Sequence, residues 1–188
     1  MAAVFGGTGY EFHGEGHFKA LLSPDAPLES PCLFWEIGWA GAEVEVDPDT
    51  GKVTVLQLVA GGDVGRAVSK LICRGQDEGA AVMGLDRAMF EEMRYGNGTL
   101  LNGEALEYRV PMAEDLPARF VSITQEQGHG PGPFGAMGAG EGAMVPVAAA
   151  VANAVQDATG ARVTTLPLSP ERVFDAMHPL TGERADRP

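Results

Sequence analysis

Residues 144–158, MVPVAAAVANAVQDA, constrain this chain more than any other stretch: only Asn153, Gln156 and Asp157 interrupt an otherwise apolar run. A helix apolar on nearly every side has to be covered on every side, so this segment belongs inside a larger packed body. At fifteen residues it falls short of the roughly 20 that span a bilayer. Gly160 follows as a stop signal. Leading into the apolar run, and sharing its first three residues, is GPFGAMGAGEGAMVP, residues 132–146, in which five glycines surround one acid, Glu141. Three readings stand open. Glu141 complements the helix dipole, an effect under about 1 kcal/mol. The glycine-rich backbone offers N–H groups to an anion. Or Glu141 is a general base held in apolar surroundings.

The 188 residues suit one domain, 1–188, large enough for a real core at 45% apolar content. Twenty-six acidic residues against 13 basic ones give a net charge of −13, and no Lys/Arg cluster exists to follow a phosphate backbone. Nucleic-acid binding is therefore disfavoured. No stretch has the length of a membrane span, and the first residues lack the basic start and apolar core of a signal peptide. The expected location is the cytoplasm. Cys32 and Cys73 lack CxxC or zinc-ligand spacing and read as two isolated thiols.

The segment AEVEVDPDTGKVTVLQLVA alternates valine with charge on both sides of a turn at 47–51, which predicts a β-hairpin. Next, RGQDEGAAVMGLDRAMFEEMRYGNG spaces Ala80, Val82, Met83, Met89, Phe90 and Met93 as a helix does, with Gly96 and Gly98 beyond its end. Gly79 and Gly84 weaken such a helix, and close approach of another backbone is the expected reason. Residues 106–111, 120–124 and 161–166 read as short strands. Ser169-Pro170-Glu171 opens a last helix with a cap, a first-turn proline and an early acid. Residues 1–33 read as irregular and 178–188 as a loose tail. The fold class is thus mixed α/β (α+β), strands and hairpins packed with two or three helices.

Other chemistries find little support. His13 and His17 flank Glu15 at a spacing like that of zinc-binding HExxH, but Gly14 and Gly16 oppose the helix that motif needs. The early GGTG follows no strand and opens no helix, and no P-loop lysine or GxSxG elbow is present. Gln76, in the polar island GQDEG expected to open the first long helix, offers a donor and an acceptor suited to the edge of a heterocycle.

Taken together, AEVEVDPDTGKVTVLQLVAGGDVGRAV, GQDEGAAVMGL, LEYRVPMAEDLP, HGPGPFGAMGAGEGAMVPVAAAVANAVQDATGARV and LPLSPERV resemble, in order, the molybdopterin-binding subunit of the xanthine dehydrogenase and aldehyde oxidase family, which includes carbon monoxide dehydrogenase. The likeness spans about residues 40 to 175 and covers only the C-terminal portion of such a subunit. It implies oxidation of an aldehyde or N-heterocycle with water as the oxygen source. By the same likeness Glu141 matches the catalytic glutamate, Gln76 the residue that hydrogen-bonds the pterin, and Gly138, Ala139 and Gly140 the backbone lining the metal site. No residue of this chain is implied as a direct metal ligand.

The resemblance further implies a molybdenum–molybdopterin cofactor shared with the remainder of the molybdenum subunit, with iron–sulfur and FAD groups on partner chains. An oligomer acting on a small-molecule substrate, inactive as this chain alone, is the expected arrangement. Ser69-Lys70 stands where the family often has Asn-Pro, and Met137 where it often has Lys; both affect local loop detail. The rival expectation is a non-catalytic remnant that folds and self-associates without cofactor.

Overall fold

The computed structural model describes residues 13–17, 19 and 33–179. The hairpin forms as its alternation predicts: β1 (Gly38–Val46) pairs antiparallel with β2 (Val53–Gly62), from Val46 opposite Val53 out to Gly38 opposite Gly62. One bulge after Glu43 shifts the register. The turn closes because Gly51, at φ +72°, donates its N–H to the Asp47 carbonyl (2.8 Å), while the Asp47 carboxylate accepts from Asp49 N–H (2.9 Å).

Helix α1 (Lys70–Met89) follows, its first turn capped by Ser69. The chain returns as β5 (Arg119–Ser122), parallel to β2, so the three-stranded sheet runs β1-β2-β5. A parallel pair requires a crossover of a dozen or more residues, and α1 supplies it. Helix α2 (Val147–Thr159) packs against β1 and α1, and α3 (Pro170–Met177) closes the core beside the hairpin turn. The core joins Leu58 and Ala60 of β2, Ala81, Leu85 and Ala88 of α1, three valines of α2, Leu168 and Val173. Each fully buried valine or leucine contributes roughly 1.5 to 3 kcal/mol.

Several expectations are corrected. Helix α2 buries one stripe only, Val147, Val151 and Val155, whereas Val145, just before it, is 75% exposed. Alanine supplies most of the remaining surface and is small enough to sit half-covered. Helix α1 begins at Lys70, five residues before GQDEG, because Ser69 provides a cap; Gln76 therefore lies in the second turn. It ends at Met89, and the NG dipeptide beyond it makes a small hairpin, β3 (Tyr95–Gly96) with β4 (Thr99–Leu100), rather than a helix stop. Asn97 and Gly98 both take positive φ (49° and 82°), the conformation a tight two-residue turn needs. Residues 106–111 and 161–166 are not strands.

Close approach explains one helical glycine of the two. A Cβ on Gly84 would lie 2.6 Å from the Met144 carbonyl and 2.7 Å from Val147 Cβ, while Gly79 faces open space. The last helix starts as predicted, with Ser169 accepting from Arg172 N–H and Pro170 in the first turn. Among the described residues, no helix is long and apolar enough to cross a membrane.

Candidate functional site

The glycine-rich loop is held from below by the end of β2. There the chain reads GGDVG, and each small residue admits a neighbouring backbone. Gly61 has the Ile123 carbonyl against its Cα, and Gly65, at φ +64°, has the Gly135 carbonyl and Met137. Asp63 is 7% exposed. Its Oδ1 accepts the N–H of Gly65 (2.9 Å) and of Gln127 (3.3 Å). A buried carboxylate taking two backbone donors fixes the turn and removes two orphan N–H groups at once. Around it, Val64 donates to Gln125 O (3.0 Å) and accepts from Met137 N–H (2.8 Å), and Gly65 O accepts from Gly128 N–H (2.7 Å).

A second buried acid ties α1 to the same strand extension. Asp77, 3% exposed, accepts the Thr124 hydroxyl at 2.7 Å. Beside it, Glu126 takes Ala67 N–H (3.0 Å) and pairs with Lys70 (2.9 Å). The Lys70 contact, then the Ala67 N–H, hold its carboxyl below the usual range.

Above this base runs 138–142. Met137 N–H is engaged by Val64 and Met144 N–H by the Glu141 carbonyl (3.0 Å), but the N–H groups of Gly138, Ala139 and Gly140 find no acceptor among the described residues. A Cβ on Gly140 would meet nothing within 4 Å, so this backbone is open to a ligand. Glu141 stands at the head of a 3-10 turn, Gly142–Met144, that leads into α2. It is exposed, which differs from the apolar surroundings the sequence suggested: the flanking residues are glycines, which carry no side chain to cover it.

Gln76 is also exposed. It lies two turns before Gly84, the point where α1 meets Met144, a separation of about 12 Å along the helix at 1.5 Å per residue. The structure thus puts Glu141 and Gly138–Gly140 on one loop and leaves Gln76 apart, on the helix beside it.

Sequence reasoning passed over Asp63 and Asp77. Asp63 had a visible signal, a lone acid inside the near-apolar block LVAGGDVG; Asp77 had none, because its burial depends on where 124 arrives. Residues 13–17 are exposed and irregular, as Gly14 and Gly16 between the two histidines lead one to expect. Among the described residues, no group of three His, Cys, Asp or Glu side chains is arranged to hold a metal ion. Cys73 is buried on α1, and Cys32 lies outside the described residues.

Residues 1–117 match the family model of the molybdopterin cofactor-binding domain. This chain belongs to that family. The match ends before the glycine-rich loop, but sequence relatives continue through it. The domain is 33% identical over 156 residues to the gamma subunit of the 6-hydroxypseudooxynicotine dehydrogenase complex of Paenarthrobacter nicotinovorans, covering 81% of this chain and 20% of that one. It is 33% identical over 175 residues to the xanthine dehydrogenase molybdenum-binding subunit of Escherichia coli O157:H7, covering 90% and 21%. Among solved structures, it superposes on the aldehyde oxidoreductase of Desulfovibrio gigas with a TM-score of 0.71 at 30% identity, over 78% of this chain and 16% of that one. The corresponding enzyme of Desulfovibrio desulfuricans gives 0.70 at 34% identity. The domain therefore spans about a fifth of the length of the curated relatives it matches.

The mixed α/β fold is accordingly that of one part of a larger molybdenum hydroxylase subunit. The donor set fits the family's cofactor. Three unengaged backbone N–H groups beside side-chain-free glycines suit an anionic, planar group that must approach the main chain closely.

Proposed function

We propose that this chain supplies the catalytic glutamate and part of the cofactor cradle of a molybdenum hydroxylase that oxidises an aldehyde or an N-heterocycle, with water as the source of oxygen. One observation carries the reading: a single carboxylate, Glu141, ends a loop whose preceding N–H groups at 138–140 are free to bind an anion. Those N–H groups and the Gln76 amide would hold the molybdenum–molybdopterin group. When bound, it supplies a two-electron redox couple.

The chain's own part is acid–base and positional. Glu141 accepts a proton at its carboxylate oxygen from the attacking oxygen species, a role worth typically 10²- to 10⁴-fold in rate. Asp63 and Met137 hold the loop from below, and the turn Gly142–Met144 fixes the direction in which Glu141 leaves the backbone. The remainder of the molybdenum subunit closes over Glu141 and excludes water. Iron–sulfur and flavin groups on partner chains carry electrons away, the assembly is an oligomer in the cytoplasm, and the chain alone does not turn over.

The test is native purification with partner chains, followed by metal analysis and assay. Molybdenum is expected, and Glu141→Gln is expected to abolish turnover with molybdenum content retained. Full activity in that variant, or a complex devoid of molybdenum, overturns the proposal; the latter result favours a cofactor-free remnant.

A further inference from the structure

The segment entering β1 runs alongside the glycine-rich loop and touches it at alternate residues, as an extended backbone must. A Cβ on Gly138 would lie 3.0 Å from the Phe34 ring, and one on Gly38 would lie 2.6 Å from the Gly142 carbonyl. Between these two, Glu36 lays its side chain over Gly142: a Cβ there would fall 2.7 Å from Glu36 Cγ and collide with the carboxyl group itself. The segment is locked in this position because Ile37 O accepts Asp63 N–H at 2.9 Å.

Glu36 thus brings a second carboxylate to the residue next to Glu141. Among the described residues, no Lys, Arg or His pairs with either glutamate. The loop is therefore polar along its length. Its 138–140 half offers N–H groups to an anion, while its 141–142 half lies between two carboxyl groups, those of Glu141 and Glu36. Beside Phe34, an apolar cleft of about 210 Å³ opens between Leu33, Pro131, Met137 and Gly138.

We propose that Glu36 is a specificity-determining residue of the Glu141 site: it disfavours anionic substrates and selects neutral or cationic aromatic ones. The inference rests on the function proposed above. Two like charges about 6 Å apart, in surroundings between bulk water and a protein surface, repel enough to lower capture about three- to tenfold.

The experiment uses the natively purified complex, wild type and Glu36→Gln, with substrates matched except in charge: benzaldehyde against 4-formylbenzoate, and nicotinamide against nicotinate. In Glu36→Gln, the anionic-to-neutral ratio of kcat/KM is expected to rise about three- to tenfold, and added salt is expected to shrink the rise. Glu36→Asp, which keeps the charge, should keep the wild-type ratio. An unchanged ratio in a molybdenum-loaded, active Glu36→Gln complex overturns the inference. So does an equal change in Glu36→Gln and Glu36→Asp, which would mark a packing role. A wild-type complex that holds no molybdenum and oxidises neither pair removes the proposed function as well, and so separates the two failures.

Discussion

Two glycines on one helix offer an internally controlled measurement of how closely α1 meets the turn that carries Glu141. Gly79 and Gly84 both lie in the interior of α1, so replacing either by alanine gains about 1 kcal/mol of helix propensity. At Gly79 the new Cβ meets nothing within 4 Å. At Gly84 it would lie 2.6 Å from the Met144 carbonyl, whereas ordinary contact begins near 3.4 Å, so the two segments must part by about 0.8 Å. The obstacles are a backbone carbonyl and the Cβ of Val147, which is fully buried, and neither can swing aside. Overpacking of this kind costs about 1 to 3 kcal/mol.

Gly79→Ala should therefore stabilise by about 1 kcal/mol, raising Tm by about 2 to 4 °C for a chain of this size. Gly84→Ala should melt about 2 to 12 °C below Gly79→Ala, the overpacking cost alone. Thermal and urea melts followed by circular dichroism at 222 nm read both variants. If Gly84→Ala melts within about 1 °C of Gly79→Ala, the close packing of α1 on 144–147 is wrong, and with it the account of how Glu141 is positioned.

Two further expectations concern acids the structure singles out. Asp63→Ala strands the buried N–H of Gly65 and frees the part-buried N–H of Gln127, and should cost about 1 to 3 kcal/mol in urea unfolding; a loss under about 0.5 kcal/mol would contradict the role assigned to that carboxylate. The Tyr108 phenol, hydrogen-bonded to the Glu91 carboxylate and partly desolvated, is pushed up to about 12. Because this raises the folded pKa above the unfolded one, the contribution is complete below about pH 10 and is lost as pH rises through about 12. Ultraviolet titration, taken as the difference between wild type and Tyr108→Phe, should show this; Glu91→Gln should bring the midpoint down, and an unmoved midpoint would refute the assignment.

Local signals in the sequence settle what local chemistry settles. The hairpin turn is legible because Asp47 and Gly51 close it through their own backbone and side-chain atoms. The last helix is legible because Ser169 and Pro170 act within one turn. Glu141 stands out as the one acid among glycines, and the ordered blocks around it carry the family. Strand readings at 106–111 and 161–166 failed because short apolar runs do not say whether a partner edge is available, and at these two places none pairs with them.

Only the tertiary structure decided what the site is made of. Asp63 becomes the anchor of the loop because 127 returns to donate to it, and Asp77 is buried because Thr124 reaches it across 47 residues. Glu36 and Phe34, in a stretch with no motif, become the loop's second wall because Ile37 locks onto Asp63. The apolar helix shows the same division. Its sequence dictated that it must pack, while the arrival of α1 and β1 on one side decided that Val147, Val151 and Val155 are the residues it buries. Side-chain identity fixes what each residue can do within a turn or two, and long-range backbone pairing decides which residues meet.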